Sequence, residues 1–213
     1  MNKPEQIRTN EFFNVDIAAA YIHDVKNNLN FLMTKADLEQ DMEAMQVLMD
    51  ADFKLNNLLV LYKAQGDMLS VQVDAVSPLS MLRMLAVSYQ PITKKQLIVQ
   101  EGDESLIAYI DQGLIELCLG NAIHNADRFA RDEIHLSVKA EEGMTVFKVS
   151  DDGDGYPANI IASGGSQVAK SSSSSGLGFY LSSKIASQHV NNGEQGFIRL
   201  RNDGGAVFEM FLP

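Results

Sequence analysis

The sequence has no tryptophan, one cysteine, five prolines and four histidines, and it is short of positive charge, with 17 Lys and Arg against 28 Asp and Glu. Each shortage excludes something. The lone Cys118 permits no internal disulfide and founds no metal cluster, so a reducing cytoplasm is the expected setting and a small buried apolar residue the expected role. A net charge of −11 without any basic run argues against nucleic acid or anionic lipid as main partner, because phosphates are held by clustered Lys and Arg. No stretch reaches the roughly 18 consecutive apolar residues of a membrane span, and Met1-Asn-Lys-Pro-Glu-Gln lacks the apolar core of a signal peptide. No membrane insertion is expected. Disorder is not expected either, since 46% of residues are hydrophobic and 21% charged, as in ordinary globular proteins.

Glycine and proline are also missing from about Glu11 to Lys63, which favours helix. Ile22, Val25, Leu29, Leu32 and Ala36 follow alternating steps of three and four, but the same register continues onto Glu39, Glu43 and Gln46. A second stripe begins with Met45 and Leu48, skips Asp52 and resumes with Leu55, Leu59 and Tyr62. Two antiparallel helices joined near residues 39–43 account for the break in phase. A hairpin cannot bury so long a seam alone, and a second copy would complete a four-helix bundle, so a homodimer is expected.

Gln65-Gly66-Asp67 ends the helical pattern, giving a helical domain over 1–66 and a second domain over 67–213. The second domain opens with a strand at Val71-Gln-Val-Asp-Ala, then a helix started by Ser77-Pro78 and running towards Gln90. Strands at Leu97–Gln100 and Ile107–Ile110, a helix from Asp111 to Ala130, and paired strands at Ile134–Ala140 and Met144–Ser150 follow. A glycine- and serine-rich segment over 153–176 reads as mobile, before a helix from Leu177 to His189 and strands at Gly196–Arg201 and Ala206–Leu212. The fold class is α+β: a helical hairpin followed by an α/β sandwich.

Three features could carry chemistry. Asn121 and Asn125 lie four apart, on one helical face, where carboxamide oxygens suit Mg²⁺, and Arg128 follows on nearly the same face within reach of a phosphate. Val149-Ser-Asp151-Asp152-Gly153-Asp154-Gly155 runs from a strand into a glycine turn, where a carboxylate can accept from an exocyclic amine and backbone can approach a ligand. Gly176-Leu-Gly178 precedes a helix, whose N-terminus favours phosphate. Each is ordinary alone.

Their order resembles the ATP site of the GHKL superfamily, which joins gyrases, histidine kinases, MutL proteins and a heat-shock chaperone. The resemblance covers most of residues 71–213. It implies a Bergerat-type α/β sandwich binding ATP and Mg²⁺, with Asn125 on the metal, Asn121 near the phosphates and Asp151 on adenine. Gly153, Gly155, Gly176 and Gly178 would shape the pocket, Arg128 would stand where these kinases carry a basic residue, and Lys170 would be the cation of a lid over 156–175. The hydrolytic branches place an acidic base where this chain has Asn121, and an amide takes no proton from water, so transfer to a side chain is favoured.

Tyr21-Ile-His23-Asp24-Val25-Lys26-Asn27-Asn28-Leu29 is similar to the H-box of sensor histidine kinases, with Asn28 where the usual Pro stands. His23 is the expected phosphoacceptor and Asp24 the base that takes its ring proton. Asn27, one turn on, occupies the place of a residue that orients water for dephosphorylating a partner, so phosphatase activity is also expected. The chain thus reads as a histidine kinase that passes phosphate from His23 to an Asp of a response regulator, with input arriving through a separate sensor protein. Two other readings stand beside it: a dimeric histidine phosphotransferase with a degenerate kinase domain, and a nucleotide-gated interaction module without phosphoryl transfer.

Overall fold

A computed structural model describes residues 5–65, 69–164 and 177–213, with side chains described from Ala20 onward except that of Gln65. The chain divides into two compact units, Met1–Leu69 and Ser70–Pro213.

The first unit is a hairpin of α1 (Glu5–Leu38) and α2 (Met42–Gln65). Its turn lies where the apolar phase breaks. The Gln40 N–H donates to Asp37 O and the Asp41 N–H to Ala36 O, closing α1 in a Schellman motif with Gln40 left-handed at φ 54°. Asp41 then starts α2, its Oδ1 accepting from Ala44 N at 3.0 Å. Facing α2, α1 presents Ile22, Lys26, Leu29, Met33 and Ala36, all at least half-buried, whereas Val25 and Leu32 of the expected stripe stay 46% and 45% exposed. Asp52, which interrupts the apolar pattern of α2, has a cause: Lys26 Nζ donates to Asn56 Oδ1 at 2.7 Å and Asn56 Nδ2 to Asp52 Oδ2 at 2.8 Å. A polar tie crosses the seam.

The second unit runs β1 (Asp74–Val76), α3 (Pro78–Tyr89), β2 (Gln96–Val99), β3 (Ala108–Ile110), α4 (Gln112–Phe129), β4 (Glu133–Glu141) and β5 (Met144–Asp151). It continues with α5 (Ala158–Ser163), α6 (Leu177–Gln188), β6 (Val190–Asn191), β7 (Glu194–Gln195), β8 (Phe197–Asn202) and β9 (Ala206–Leu212). Five strands form one sheet in the order β2-β4-β5-β9-β8, with β2 parallel to β4 and the other neighbours antiparallel. Alternation gives the sheet an apolar face on which Ile134, Leu136, Phe147, Val149, Phe208 and Met210 meet α3, α4 and α6. Burying each such side chain contributes about 1.5–3 kcal/mol.

Several expectations need correction. The first strand starts at Asp74 rather than Val71, because Asp111 Oδ2 takes the Gln72 N–H at 2.9 Å. Ser77 sits at the N-cap of α3 without a side-chain cap bond, its hydroxyl turning instead to Ser80 Oγ at 3.1 Å. The segment expected to be mobile contains α5, which ends on Gly164 in the left-handed region at φ 57°. The short β6–β7 ribbon after α6 was not foreseen.

Candidate functional site

Helix α4 is capped by Asp111, whose Oδ1 accepts from Leu114 N at 3.1 Å, and it turns Ile115, Leu119 and Ile123 into the core. That phase fixes the asparagines. Asn121 is 6% exposed and faces the start of α6, where a Cβ built on Gly178 would lie 3.2 Å from Asn121 Oδ1. The first and third motifs therefore meet. Asn125 is half-buried one turn further, and Arg128 is exposed with its guanidinium 5.4 Å from the Phe129 ring centroid.

At the end of β5 the neighbouring carboxylates have different tasks. Asp151 Oδ1 accepts from Gly153 N at 2.9 Å and Ala206 N at 3.1 Å, which fixes the side chain while Oδ2 carries neither bond. Asp152 instead gathers the backbone N–H groups of Arg131, Asp132 and Glu133 at 2.7, 3.0 and 3.3 Å, tying the loop to the start of β4. Desolvation pushes the Asp152 carboxyl up, but these donors outweigh it and hold it below its ordinary value.

The glycines are required by space. A Cβ at Gly153 would fall 2.3 Å from Phe129 O, and one at Gly155, already at φ 84°, 2.6 Å from Asn202 Cγ. Asn202 clamps the next residue, accepting from Tyr156 N at 2.7 Å and donating to Tyr156 O at 3.0 Å. The Tyr156 ring meets Phe179 edge-on at 5.4 Å, and Phe179 stacks on Phe208 at 6.3 Å. Burial, aided by the Asp151 charge, pushes the Tyr156 phenol above its usual range. Cys118, beside Ser182, is pushed up to about 12 by burial although Ser182 acts the other way, so it is no thiolate nucleophile.

Sequence reasoning missed Gly205, Asn202, Tyr156, Phe179 and Phe129. Asn202-Asp-Gly-Gly looked like any hairpin turn, yet a Cβ at Gly205 would lie 1.8 Å from Asp151 O, and the 58%-exposed ring of Phe129 offers a face on which a base could stack. Lys170 and Gly176 lie outside the described residues, as does most of the expected lid.

In the helical unit His23 and Asp24 are exposed, and Asn27 Nδ2 lies 3.2 Å from His23 Nδ1. The group at the ring nitrogen is Asn27 rather than Asp24.

Residues 110–213 match the family described as histidine kinase-, DNA gyrase B- and HSP90-like ATPase. The signal transduction histidine-protein kinase AfsQ2 of Streptomyces coelicolor is 29% identical over 119 residues, 53% of this chain and 22% of that protein. The chain thus spans about a fifth of the length of this curated relative. Full-length ShkA in complex with AMPPNP superposes with a TM-score of 0.64 at 19% identity, over 93% of this chain and 45% of that one. The Acinetobacter baumannii histidine kinase AdeS gives 0.60 at 16% over 89% and 96%, and the catalytic domain of histidine kinase ThkA 0.58 at 18% over 67% and 95%.

Residues 110–213 thus match a GHKL-class ATPase domain, and the five-stranded sheet has the fold of these histidine-kinase catalytic domains. With the helical hairpin before it, the chain has the architecture of a sensor histidine-kinase core. Among the described residues no helix is long and apolar enough to cross a membrane.

Proposed function

We propose that this protein is a cytoplasmic, homodimeric histidine kinase that phosphorylates His23 from Mg²⁺-ATP and passes the phosphoryl group to an aspartate of a response-regulator receiver domain. The seating of Gly178 against Asn121 carries the reading, since it joins an amide-bearing helix to the N-terminal turn of α6. The fit to a nucleotide is supported by Asp151, anchored through Oδ1 and able to accept an amine through Oδ2, and by glycines whose backbone leaves no room for a side chain. Phe129 offers its exposed face for stacking on the base, and Arg128 a cation for the phosphates.

Among the described residues no group of three His, Cys, Asp or Glu could hold an ion, so a metal at Asn125 would depend on phosphate oxygens for its remaining ligands. Bound with the nucleotide, Mg²⁺ would offset charge on the transferred group. Asn121 carries no group that can take a proton from water, which favours a side-chain acceptor over hydrolysis. His23 is exposed on α1 and free to be approached. One ring nitrogen attacks the γ-phosphorus, the bond to ADP breaks, and the proton on the other nitrogen passes to Asp24. Asn27 orients water in the reverse task, removal of phosphate from the partner.

The test is incubation with Mg²⁺ and γ-labelled ATP. Acid-labile label on the wild type, absent from His23→Ala and Asn125→Ala, is the expected result. Folded protein that takes no label from ATP, but does so at His23 from a phosphorylated receiver domain, would replace this reading with the phosphotransferase one.

A further inference from the structure

Helices α4 and α6 run antiparallel, and a ladder of contacts records their register. Asn121 faces Gly178 at one end, Cys118 lies beside Ser182 in the middle, and at the other end the Asp111 N–H donates to His189 Nε2 at 3.1 Å. His189 stands just past the last residue of α6 and is 3% exposed. Its Nδ1 lies 3.0 Å from Ile185 O, within the last turn of α6. An amide N–H only donates and a carbonyl only accepts, so the ring is neutral with its proton on Nδ1. The carbonyl of His189 accepts in turn from Gly196 N at 2.9 Å, and the Asp111 carboxylate takes Gln72 N and Leu114 N.

We propose that His189 is a positioning residue for the nucleotide site: by joining the end of α6 to the start of α4 it fixes the axial register of the two helices and thereby seats Gly178 on Asn121. The inference rests on reading the junction of Asn121 and Gly178 as part of the ATP site. From His189 to Gly178 the helix rises about 16 Å, so the imidazole acts through the helix and touches nothing bound at its start. Towards the Gly178 end the facing side chains Cys118 and Ser182 are small and give one helix little to key into the other, so the tie at His189 adds to the register that Ile115 and Ile185, both fully buried, set by packing. At Gly178 the clearance is already tight, with the added Cβ 3.2 Å from Asn121 Oδ1, so a slide of a fraction of the 1.5 Å rise per residue changes how Asn121 and Gly178 meet.

The experiment uses the full chain and two readouts. Long-range ¹H–¹⁵N spectra report the His189 tautomer and the resonances of the Gly178 backbone amide and Asn121 side-chain amide, and titration with a non-hydrolysable Mg²⁺-ATP analogue reports affinity. The expected results are an Nδ1–H tautomer in the wild type, and in His189→Ala a shift of both remote resonances with an affinity loss of about tenfold, the order seen when a group orienting a ligand-holding residue is removed. His189→Gln keeps one donor and one acceptor, and is expected to fold and to move the same resonances less. Leu79→Ala, a cavity variant in α3, is expected to leave the resonances and affinity unchanged despite its lower stability. An Nε2–H tautomer would overturn the proposal, as would folded His189 variants with unmoved resonances or an equal effect from Leu79→Ala. If the wild type binds no nucleotide, the ATP reading fails, while the resonances still decide whether His189 sets the register.

Discussion

The Nδ1 atom of His23 lies 3.2 Å from the side-chain nitrogen of Asn27, one turn along α1. With that nitrogen facing the ring, Nδ1 accepts and the proton sits on Nε2. With the amide turned over, Oδ1 accepts from Nδ1–H and the Nε2 lone pair is free to attack. Asn27 is therefore compatible with both states of the ring and commits it to neither, and for Asp24 to take the Nδ1 proton, as proposed, the Asn27 amide must first leave that nitrogen.

This division of labour separates two variants. Asp24→Asn is expected to lower labelling of His23 from ATP by about 10²-fold, the lower range for a lost general base. Asn27→Ala is expected to leave that labelling little changed but to slow dephosphorylation of a phosphorylated receiver domain by at least about tenfold, since it removes an orienting group. Equal effects of the two variants on both assays would rule the scheme out.

Glu209 supplies a pH prediction. It is 4% exposed on β9, with Arg199 Nε at 2.7 Å and Arg201 Nη2 at 3.2 Å on the neighbouring strand. Burial pushes its carboxyl up, but the two guanidinium groups outweigh that and hold it below the ordinary value of 4.5. A depressed folded value means the unfolded chain binds the proton more readily. The stabilisation is thus complete above 4.5 and drains as the pH falls through the folded value. Glu209→Gln should be less stable than wild type at neutral pH, with the difference shrinking under acid. Denaturation midpoints taken from pH 7 downward check this, and a constant difference would count against it.

The hairpin turn makes opposite predictions for adjacent residues. Gln40 holds a left-handed conformation at φ 54°, which glycine adopts without the Cβ penalty, so Gln40→Gly is expected to stabilise the helical unit by about 0.5–1 kcal/mol after the entropy of the freer unfolded chain is subtracted. Asp41→Ala removes the acceptor of the Ala44 N–H and is expected to cost about 1 kcal/mol. Thermal unfolding followed by helical circular dichroism distinguishes the signs.

Much of this molecule can be read from local pattern because local forces set it. The hairpin shows as a break in apolar phase, the start of α4 as Asp111 ahead of an apolar period, and the proposed ATP site as the order of Asn121, Asp151 and Gly178. What stayed hidden depends on partners distant in sequence. That β9 lies between β5 and β8 follows from pairing across long separations, and so does the split of tasks between Asp151 and Asp152, whose donors come from Ala206 and from residues 131–133. Gln40 carries no signature of its conformation, α5 is too short to show a period, and His189 looks like any histidine ending a helix until Asp111 is folded against it.

Two adjacent glycines of the β8–β9 turn give the sharpest test of how the fold builds the site. Gly204, at φ 72°, has nothing within 4 Å of an added Cβ, so Gly204→Ala meets only backbone strain, about 1–2 kcal/mol. Gly205 differs: its Cβ would lie 1.8 Å from Asp151 O and 2.7 Å from Asp151 C, against backbone that cannot swing aside. Relief requires the start of β9 to leave the end of β5, which breaks the bond from Ala206 N to Asp151 Oδ1 and frees the carboxylate proposed to hold adenine. Both variants should therefore lose stability, Gly205→Ala by about 1–3 kcal/mol as an overpacked site. Only Gly205→Ala should also lose nucleotide affinity, by at least about tenfold, a cost of about 1.4 kcal/mol. Thermal melts and nucleotide titrations on the pair separate the two effects. Wild-type affinity in a folded Gly205→Ala would show that Asp151 does not depend on this contact, and equal losses in both variants would show that affinity merely follows stability.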